Sequence, residues 1–360
     1  MKNLFFILLV MMLGSVGCKK EQRPDKPDQP QITNTNAIPK DQSDSTIHNG
    51  SLADTHIKYF GRWVFTDQEQ YESNWGGSYF KVNFTGTTVR LKVNYATNYY
   101  TKIDNGNWIS YINKSGIINL TPVPLTNKTH TLSVAQGKDN NYVFDFQGLL
   151  LDTLAVTSAP IIQKYLIEYI GDSITAGFTD SQSNVSDYAW ITSDSLHVEH
   201  TQIAYPGICL VDGYPGPGMN TQYFKSQSLY SDSQSPSDWS FQTYAARLVV
   251  INLGTNDFIK KVSDTTFKSV YISFCKAIRA KLPAADIFLM RPFNGAKATA
   301  IQAIVSARHN GGDPKVHYIN TTGWLGGLSD YTDGTHPNDK GQIKIASKLR
   351  PILAAYLDTE

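Results

Sequence analysis

Residues 165–174 read Tyr-Leu-Ile-Glu-Tyr-Ile-Gly-Asp-Ser-Ile, and this stretch decides how the second half of the chain folds. Its first six residues are mostly apolar, and a Gly-Asp-Ser turn follows at once. Comparable apolar runs lie at residues 247–253, 286–290 and 316–319. Short apolar runs that end in turn residues are typical of buried strands. Each run is therefore predicted to be a strand of one sheet.

Helical stretches separate these predicted strands. They cover residues 187–197, 264–281, 296–308 and 339–357. Asp264 and Asn338 stand at the start of two of them and are the expected N-caps, because their short polar side chains suit that position. Strands that alternate with helices predict an α/β domain over residues 160–360, with a parallel sheet covered by helices on both faces. Ligands bind beyond the carboxyl ends of the strands in such sheets.

The preceding residues, 51–158, follow a different pattern. Apolar and polar side chains alternate, as at Val89, Leu91 and Val93. The pair Asn105-Gly106 lies between two alternating segments and favours a tight hairpin turn. Short alternating segments with turns between them predict an antiparallel β-sandwich.

The amino-terminal residues have the features of an export signal. Lys2 precedes an apolar run at residues 4–13, which is shorter than the ~20 residues of a membrane-spanning helix. Small residues then lead to Cys18; this resembles a bacterial lipobox and implies a signal peptide over 1–17 and lipid on Cys18. Residues 18–50 are polar and predict a flexible tether. The expected location is the periplasm or cell surface, with a lipid anchor as the only membrane contact; ordinary secretion is the alternative.

The overall composition excludes some classes of function. The formal net charge is +1 and 18% of the 360 residues are charged, so no nucleic-acid partner is predicted. Apart from Cys18, the cysteines are Cys209 and Cys275. A disulfide between them requires a geometry that sequence cannot supply, and two buried free thiols are the preferred interpretation.

Three polar segments follow the predicted strands or precede the last helix. They are residues 171–174 with Ser173, residues 254–257 with Asn256, and residues 333–338 with Asp333 and His336. Serine needs an adjacent base to become a nucleophile. Asp333 precedes His336 by three residues, so its carboxylate can orient the imidazole towards Ser173. These residues therefore predict acyl transfer.

The same segments resemble the SGNH (GDSL-type) hydrolase superfamily over roughly residues 163–357. The resemblance implies that Ser173 is the nucleophile, His336 the base and Asp333 the group that orients His336. It further implies an oxyanion hole formed by the amides of Ser173 and Gly207 and the side-chain amide of Asn256. No cofactor is expected, and no metal site either, because the other histidines have no partner at metal-ligand spacing.

A closer resemblance is to carbohydrate esterase family two, in which a jelly-roll-like β domain precedes the SGNH domain. The segments that carry it are residues 74–78, 146–148, 171–177, 218–224, 320–325 and 333–338. This family removes acetyl groups from plant-wall polysaccharides such as xylan and glucomannan. Some members orient the histidine with a backbone carbonyl, so the role of Asp333 stays open at this point.

Aromatic side chains near these segments are candidates for contacting the sugar. Trp324, Tyr223 and Tyr214 are predicted to line the cleft, and burial in the core is the alternative for Trp324. Asp172 and Asp257 are expected to hold backbone amides in their turns rather than to act as catalytic acids.

The function expected from the sequence is an esterase that removes O-acetyl groups from carbohydrate through an acetyl-serine intermediate. Two alternatives remain. One is the same chemistry on a bacterial envelope glycan. The other is a surface lipoprotein that binds glycan without catalysis, against which the pair Ser173 and His336 argues.

Overall fold

The computed structural model describes residues 49–137, 143–228 and 236–357. The predicted signal peptide, Cys18 and almost all of the predicted tether lie outside these ranges. Within them, none of the helices is both long enough and apolar enough to cross a membrane.

The first part of the described chain is an antiparallel β domain. Its strands are β1 (Lys58–Phe60), β2 (Val64–Thr66), β3 (Gln70–Ser73), β4 (Tyr79–Gly86), β5 (Val89–Ile103), β6 (Ile109–Asn119), β7 (Lys128–Gln136), β8 (Phe144–Leu151) and β9 (Thr157–Ser158). Their order in the sheet is β1-β4-β7-β5-β8-β3-β2, with β6 added on β5 and β9 on β4.

The long strand β5 belongs to both layers of this domain. One edge of β5 pairs with β6, whereas its other edge pairs with β8 near Val89 and with β7 near Tyr99. The ring of Phe80 in β4 packs against that of Phe146 in β8, at 4.5 Å between centroids and a 40° tilt, although these strands are not hydrogen-bonded neighbours. The predicted β-sandwich is confirmed, and its two layers are one continuous hydrogen-bonded sheet.

The hairpin predicted at Asn105-Gly106 joins β5 to β6. The Gly106 amide donates to the carbonyl of Ile103 at 3.0 Å. Asp104 has a positive φ of 54°, and its carboxylate accepts from the Thr131 amide at 2.9 Å. The loop extends over residues 104–108 and is longer than a two-residue turn.

The second part is an α/β domain with five parallel strands. They are β10 (Leu166–Gly171), β11 (Glu199–Ala204), β12 (Leu248–Asn252), β13 (Asp286–Met290) and β14 (Val316–Ile319), in the order β11-β10-β12-β13-β14. The helices are α1 (Tyr188–Leu196), α2 (Met219–Gln222), α3 (Thr255–Ile259), α4 (Asp264–Lys281), α5 (Ala298–Asn310) and α6 (Asp339–Ala354). The four predicted strands and four predicted helices are all present.

Helices cover both faces of the parallel sheet, as predicted. Phe267 of α4 and Ile301 of α5 share one apolar cluster with the strands. Tyr188 of α1 and Ile345 of α6 belong to the cluster on the opposite face. The two cysteines, Cys209 and Cys275, are buried and free, which confirms the preferred interpretation.

The helix caps agree with prediction in one case and differ in the other. Asn338 caps α6, and its side-chain oxygen accepts from the Gly341 amide at 3.1 Å. The prediction for Asp264 is wrong by one residue, because Ser263 is the N-cap of α4 and accepts from the Thr266 amide at 3.1 Å. Asp264 is instead the first helical residue.

The β domain and the α/β domain share a buried boundary. Lys81 and Tyr79 of β4 both contact the carboxylate of Glu199 in β11, at 2.8 Å and 2.6 Å. The buried Arg62 donates to the backbone carbonyls of Tyr223 and Lys225. Side chains from both domains form one apolar cluster.

Candidate active site

The nucleophile candidate stands directly after strand β10, which lies between β11 and β12 in the sheet. Gly171 ends that strand, and a Cβ on Gly171 would lie 2.0 Å from Thr175 Oγ1. The Ala176 amide donates to the carbonyl of Asp172 at 3.0 Å, so the chain turns tightly around Ser173. This turn leaves Ser173 7% exposed at the carboxyl end of the sheet.

The three predicted catalytic residues meet in a hydrogen-bonded row. Asp333 Oδ2 lies 2.7 Å from His336 Nδ1, and His336 Nε2 lies 2.9 Å from Ser173 Oγ. An ionised carboxylate only accepts, so the Nδ1–H donates to Asp333 and Nε2 accepts from the serine hydroxyl. This arrangement prepares Ser173 to lose its proton to His336 as it attacks a carbonyl.

The charge of Asp333 is stabilised by its neighbours. Partial burial by itself would raise the pKa of Asp333, but hydrogen bonds from the backbone and ring of His336 and from the Thr335 amide outweigh it, and the pKa is lowered. The two amides lie 2.9 and 3.0 Å from Oδ1. Asp333 therefore remains ionised beside His336.

The loop that carries His336 is held by the cap of α6. The side-chain amide of Asn338 donates to the carbonyls of Ser329 at 3.2 Å and Tyr331 at 3.3 Å. The Thr332 amide also donates to the carbonyl of His336 at 2.9 Å. These bonds limit the movement of the imidazole relative to the sheet.

The predicted oxyanion donors lie around the nucleophile. Asn256 Nδ2 donates to the carbonyl of Ile208 at 3.0 Å and lies 3.4 Å from Asp172 Oδ2. The side chain of Asn256 therefore contacts the chain neighbours of both Ser173 and Gly207. Within the described ranges, the amides of Ser173 and Gly207 donate to no protein acceptor. These positions suit an oxyanion hole, and that role remains a prediction.

Asp172 and Asp257 hold backbone amides, as expected. Asp172 Oδ1 accepts from the Ile174 amide at 3.0 Å, and Asp257 accepts from the amides of Leu210 at 2.9 Å and Val211 at 3.2 Å. Burial, together with the nearby charge of Asp257, raises the pKa of Asp172 to about 7, although the hydrogen bond from the Ile174 amide acts in the opposite direction. Both carboxyl groups hold the turns that surround the nucleophile.

Sequence reasoning missed Phe178, which packs on the catalytic base. Its ring centroid lies 4.9 Å from that of His336, and the side chain is 38% exposed at the surface. The Phe178 amide donates to the carbonyl of Ser173 at 3.0 Å. The sequence could have indicated this contact, because Phe178 is an aromatic residue only five positions after Ser173.

The three predicted sugar contacts have different outcomes. The prediction for Tyr223 is wrong: its side chain is fully buried, its ring lies against Arg62, and its hydroxyl donates to Glu168 in the core. Tyr214 and Trp324 are partly exposed. Trp324 lies on the loop between β14 and His336, 6.5 Å from the Phe293 ring. A role in sugar binding remains a prediction for these two.

Metal ligation is a separate question from the serine chemistry. Among the residues that the structure describes, there is no cluster of three or more histidine, cysteine or acidic side chains suited to a metal.

The arrangement of Ser173, His336 and Asp333 defines the class of protein. A nucleophile, a base and an orienting carboxylate in direct contact, at the carboxyl end of a parallel sheet, define a serine hydrolase that performs acyl transfer.

Comparison with protein families refines this class. Residues 169–343 match the GDSL-like Lipase/Acylhydrolase family, and residues 59–160 match the family described as Carbohydrate esterase 2 N-terminal. The chain therefore combines a GDSL-type acylhydrolase domain with the amino-terminal domain of the family two carbohydrate esterases.

Individual relatives are similar to this chain over most of its length. The cellulase/esterase CelE of Acetivibrio thermocellus is 27% identical over 81% of this chain, but the chain spans only 38% of that relative's length. An acetylxylan esterase / glucomannan deacetylase of Cellvibrio japonicus is 21% identical over 87% of this chain and 92% of the relative. A solved family two carbohydrate esterase from Clostridium thermocellum, in complex with cellohexaose, is 26% identical. Its TM-score is 0.74, with 84% of this chain and 99% of that chain covered.

Proposed function

We propose that this protein is an esterase that removes O-acetyl groups from carbohydrate, with plant-wall polysaccharide or its oligosaccharides as substrate. The observation that carries the proposal is the row of contacts from Asp333 through His336 to Ser173, at 2.7 and 2.9 Å. Distances of this size permit proton transfer between the hydroxyl and the imidazole.

The reaction proceeds through an acetyl-serine intermediate. Ser173 Oγ attacks the acetyl carbonyl while His336 takes its proton, and the amides of Ser173, Gly207 and Asn256 stabilise the oxyanion. His336 returns the proton to the sugar oxygen, which leaves as a hydroxyl. Water then gives a proton to His336 and attacks the acetyl carbon. The bond to Ser173 Oγ breaks, His336 returns the proton to Oγ, and acetate is released.

The substrate class is supported by the relatives rather than by a bound ligand. One of them is named for activity on acetylated xylan and glucomannan, and a solved relative carries cellohexaose. Trp324 and Tyr214 are partly exposed aromatic residues, and aromatic rings suit contact with the face of a sugar. We include both in the proposed substrate site.

Acetate release from a panel of acetylated glycans tests this function. We expect acetate from acetylated xylan or glucomannan and a steep fall in turnover of aryl esters from acetate to octanoate. Rapid cleavage of the octanoate ester would contradict the acetyl specificity. Release from purified bacterial wall glycan, with none from the plant polysaccharides, would instead assign the enzyme to envelope glycan.

The Ser173→Ala variant separates catalysis from binding. We expect the loss of the nucleophile to lower kcat by about 10⁶, as for other serine hydrolases, with an unchanged circular dichroism spectrum. A wild-type protein that binds glycan but hydrolyses no acetyl ester would support the non-catalytic alternative.

We further propose that the protein is exported and anchored by lipid on Cys18. The support is the apolar run at residues 4–13 followed by small residues and Cys18. Labelled palmitate should enter the wild-type chain in a bacterial host, and Cys18→Ala should abolish the label. A secreted wild-type protein without label would indicate ordinary cleavage.

A further inference from the structure

An open groove of about 780 Å³ lies between the β domain and helix α1. The β domain contributes Lys102, Asn107 and Trp108 from the β5–β6 hairpin, and the α/β domain contributes Gln182, Trp190 and Asp194. None of these residues belongs to the catalytic row. The groove exists only because the two domains are in contact, since each supplies one wall.

Two indole rings provide the apolar surface of this groove. The rings of Trp108 and Trp190 stand at 89° to each other, with 5.1 Å between their centroids. Lys102 Nζ lies 5.0 Å from the centroid of Trp108 and 4.0 Å from Asp194 Oδ2. Trp108 is partly exposed, whereas Trp190 is 4% exposed and packs against the Trp108 ring.

Polar side chains surround the two rings. Lys102 supplies an ammonium donor, Asp194 a carboxylate acceptor, and Asn107 and Gln182 side-chain amides that can both donate and accept. The side chains of Asn107 and Asp194 are exposed and face solvent. Aromatic rings beside amide and carboxylate groups suit a pyranose, which has apolar C–H faces and a rim of hydroxyl groups.

The groove is connected to the catalytic loop through the segment that follows the nucleophile. Gln182 Nε2 donates to the carbonyl of Trp108 at 3.3 Å. The neighbouring Ser181 amide donates to Asp339 at 2.8 Å, and Asp339 opens α6 three residues after His336. One wall of the groove therefore belongs to the same loop that carries Ser173 and Phe178.

We propose that this groove is a second binding site for polysaccharide, in which Trp108 stacks on a sugar ring of the chain whose acetyl group reaches Ser173. The proposal rests on the carbohydrate substrate proposed above and adds a site on the β domain. Two linked contacts on one polymer raise its effective concentration at the active site. Short acetyl esters cannot reach the groove and gain nothing from it.

Binding without hydrolysis tests the site directly. In the Ser173→Ala protein, affinity for deacetylated soluble glucomannan and xylan is measured by titration calorimetry. We expect Trp108→Ala to weaken binding about tenfold, the order typical of losing one large aromatic contact, and Asn107→Ala to weaken it less. Trp108→Phe keeps a ring and should retain most of the affinity.

Turnover by proteins that retain Ser173 supplies the second readout. Trp108→Ala should raise KM for acetylated polysaccharide while turnover of an aryl acetate stays within about twofold of the wild type. Leu154→Ala, on the same domain and 94% exposed, is the matched control and should change neither. Unchanged polysaccharide affinity in both Trp108→Ala and Asn107→Ala would overturn the proposal, as would an equal loss on the aryl ester.

The two proposals fail in different ways. An enzyme that cleaves aryl acetate but no acetylated glycan contradicts the proposed function, irrespective of the groove. An enzyme that deacetylates polysaccharide with the same KM before and after Trp108→Ala contradicts the groove and leaves the proposed function intact.

Discussion

Asp333 orients His336 from a position that water can reach. Its side chain is 46% exposed, yet three hydrogen bonds from the segment 335–336 hold it in place. In other serine hydrolases the orienting carboxylate is buried, and its loss costs about 10⁴ in kcat. We therefore expect the reaction to depend less on Asp333 than on a buried carboxylate.

Asp333→Asn should lower kcat for an aryl acetate by about 10², less than the loss for a buried carboxylate. The asparagine amide favours the wrong tautomer of His336, but water can still accept from Nδ1. The melting temperature should stay close to that of the wild type. An unchanged kcat would show that another group, such as a backbone carbonyl, orients the imidazole.

Asp172 links the active-site turn to the pH dependence of stability. Burial raises the pKa of Asp172 from 3.8 to about 7, so between these values the folded protein holds a proton that the unfolded chain has released. The folded state then binds more protons, and its stability falls as the pH rises through this window.

Asp172→Asn should remove this dependence, because an amide does not titrate in that range and its oxygen can still accept from Ile174. The melting temperature of the variant minus that of the wild type should therefore rise between pH 4 and pH 7. Scanning fluorimetry at constant ionic strength measures the difference. A flat difference would mean that Asp172 is already ionised in the folded protein at low pH.

The N-caps of helices α4 and α6 make the same hydrogen bond but differ in what else they hold. Ser263 and Asn338 each accept from a backbone amide in the first helical turn at 3.1 Å. Of these two residues, only Asn338 also bonds to the loop that precedes its helix: its side-chain amide donates to the carbonyls of Ser329 and Tyr331.

Asn338→Ala and Ser263→Ala should each cost about 1 kcal/mol of the free energy of unfolding, which is typical of a lost N-cap. Only Asn338→Ala should also lower kcat, because it releases the loop that positions His336. Chemical denaturation and aryl acetate kinetics measure the two effects. Equal kcat in both variants would show that the loop is held without the cap.

The elements also show how far sequence reasoning reaches. Four strands of the parallel sheet were predictable because each of them is a run of mostly apolar residues in the sequence. β11 was not, since Glu199, His200, Thr201 and Gln202 are polar and nevertheless buried. Glu199 finds its partners, Lys81 and Tyr79, across the domain boundary, whereas Thr201 bonds to Glu168 within the α/β domain. The pattern of apolar and polar residues along the sequence does not reveal such partners.

The candidate site was predictable where the chemistry itself demands a residue type. Ser173, His336 and Asp333 meet as predicted, because strand ends of a parallel sheet converge on one edge. The prediction that Tyr223 lines the cleft was wrong because the chemistry does not demand an aromatic residue there: an aromatic side chain suits a cleft and a core equally well. The turn after α2 directs its hydroxyl to Glu168, which only the folded structure reveals.

The β domain and the α/β domain share one buried apolar cluster. Phe60 and Tyr79 of the β domain share an apolar cluster with Trp190 and Ile203 of the α/β domain. Glu199 is 2% exposed at its side chain and pairs with Lys81 at 2.8 Å.

Calorimetry of the folded protein should show one unfolding transition with equal calorimetric and van't Hoff enthalpies. Glu199→Ala should lower the stability of this single transition by about 2–3 kcal/mol, because it leaves Lys81 partly buried without its partner. Asp238→Ala breaks the exposed pair with Lys225 and should cost less than about 1 kcal/mol. Two separate transitions would contradict the shared boundary.

That boundary also matters while the chain is being made. Synthesis begins at the amino terminus, so Phe60, Trp75 and Tyr79 leave the ribosome well before α1 and β11, which cover them in the finished protein. During this interval the nascent β domain presents an uncovered aromatic surface. Chains that stop near residue 160 keep that surface permanently, and aggregation is the fate we expect for them.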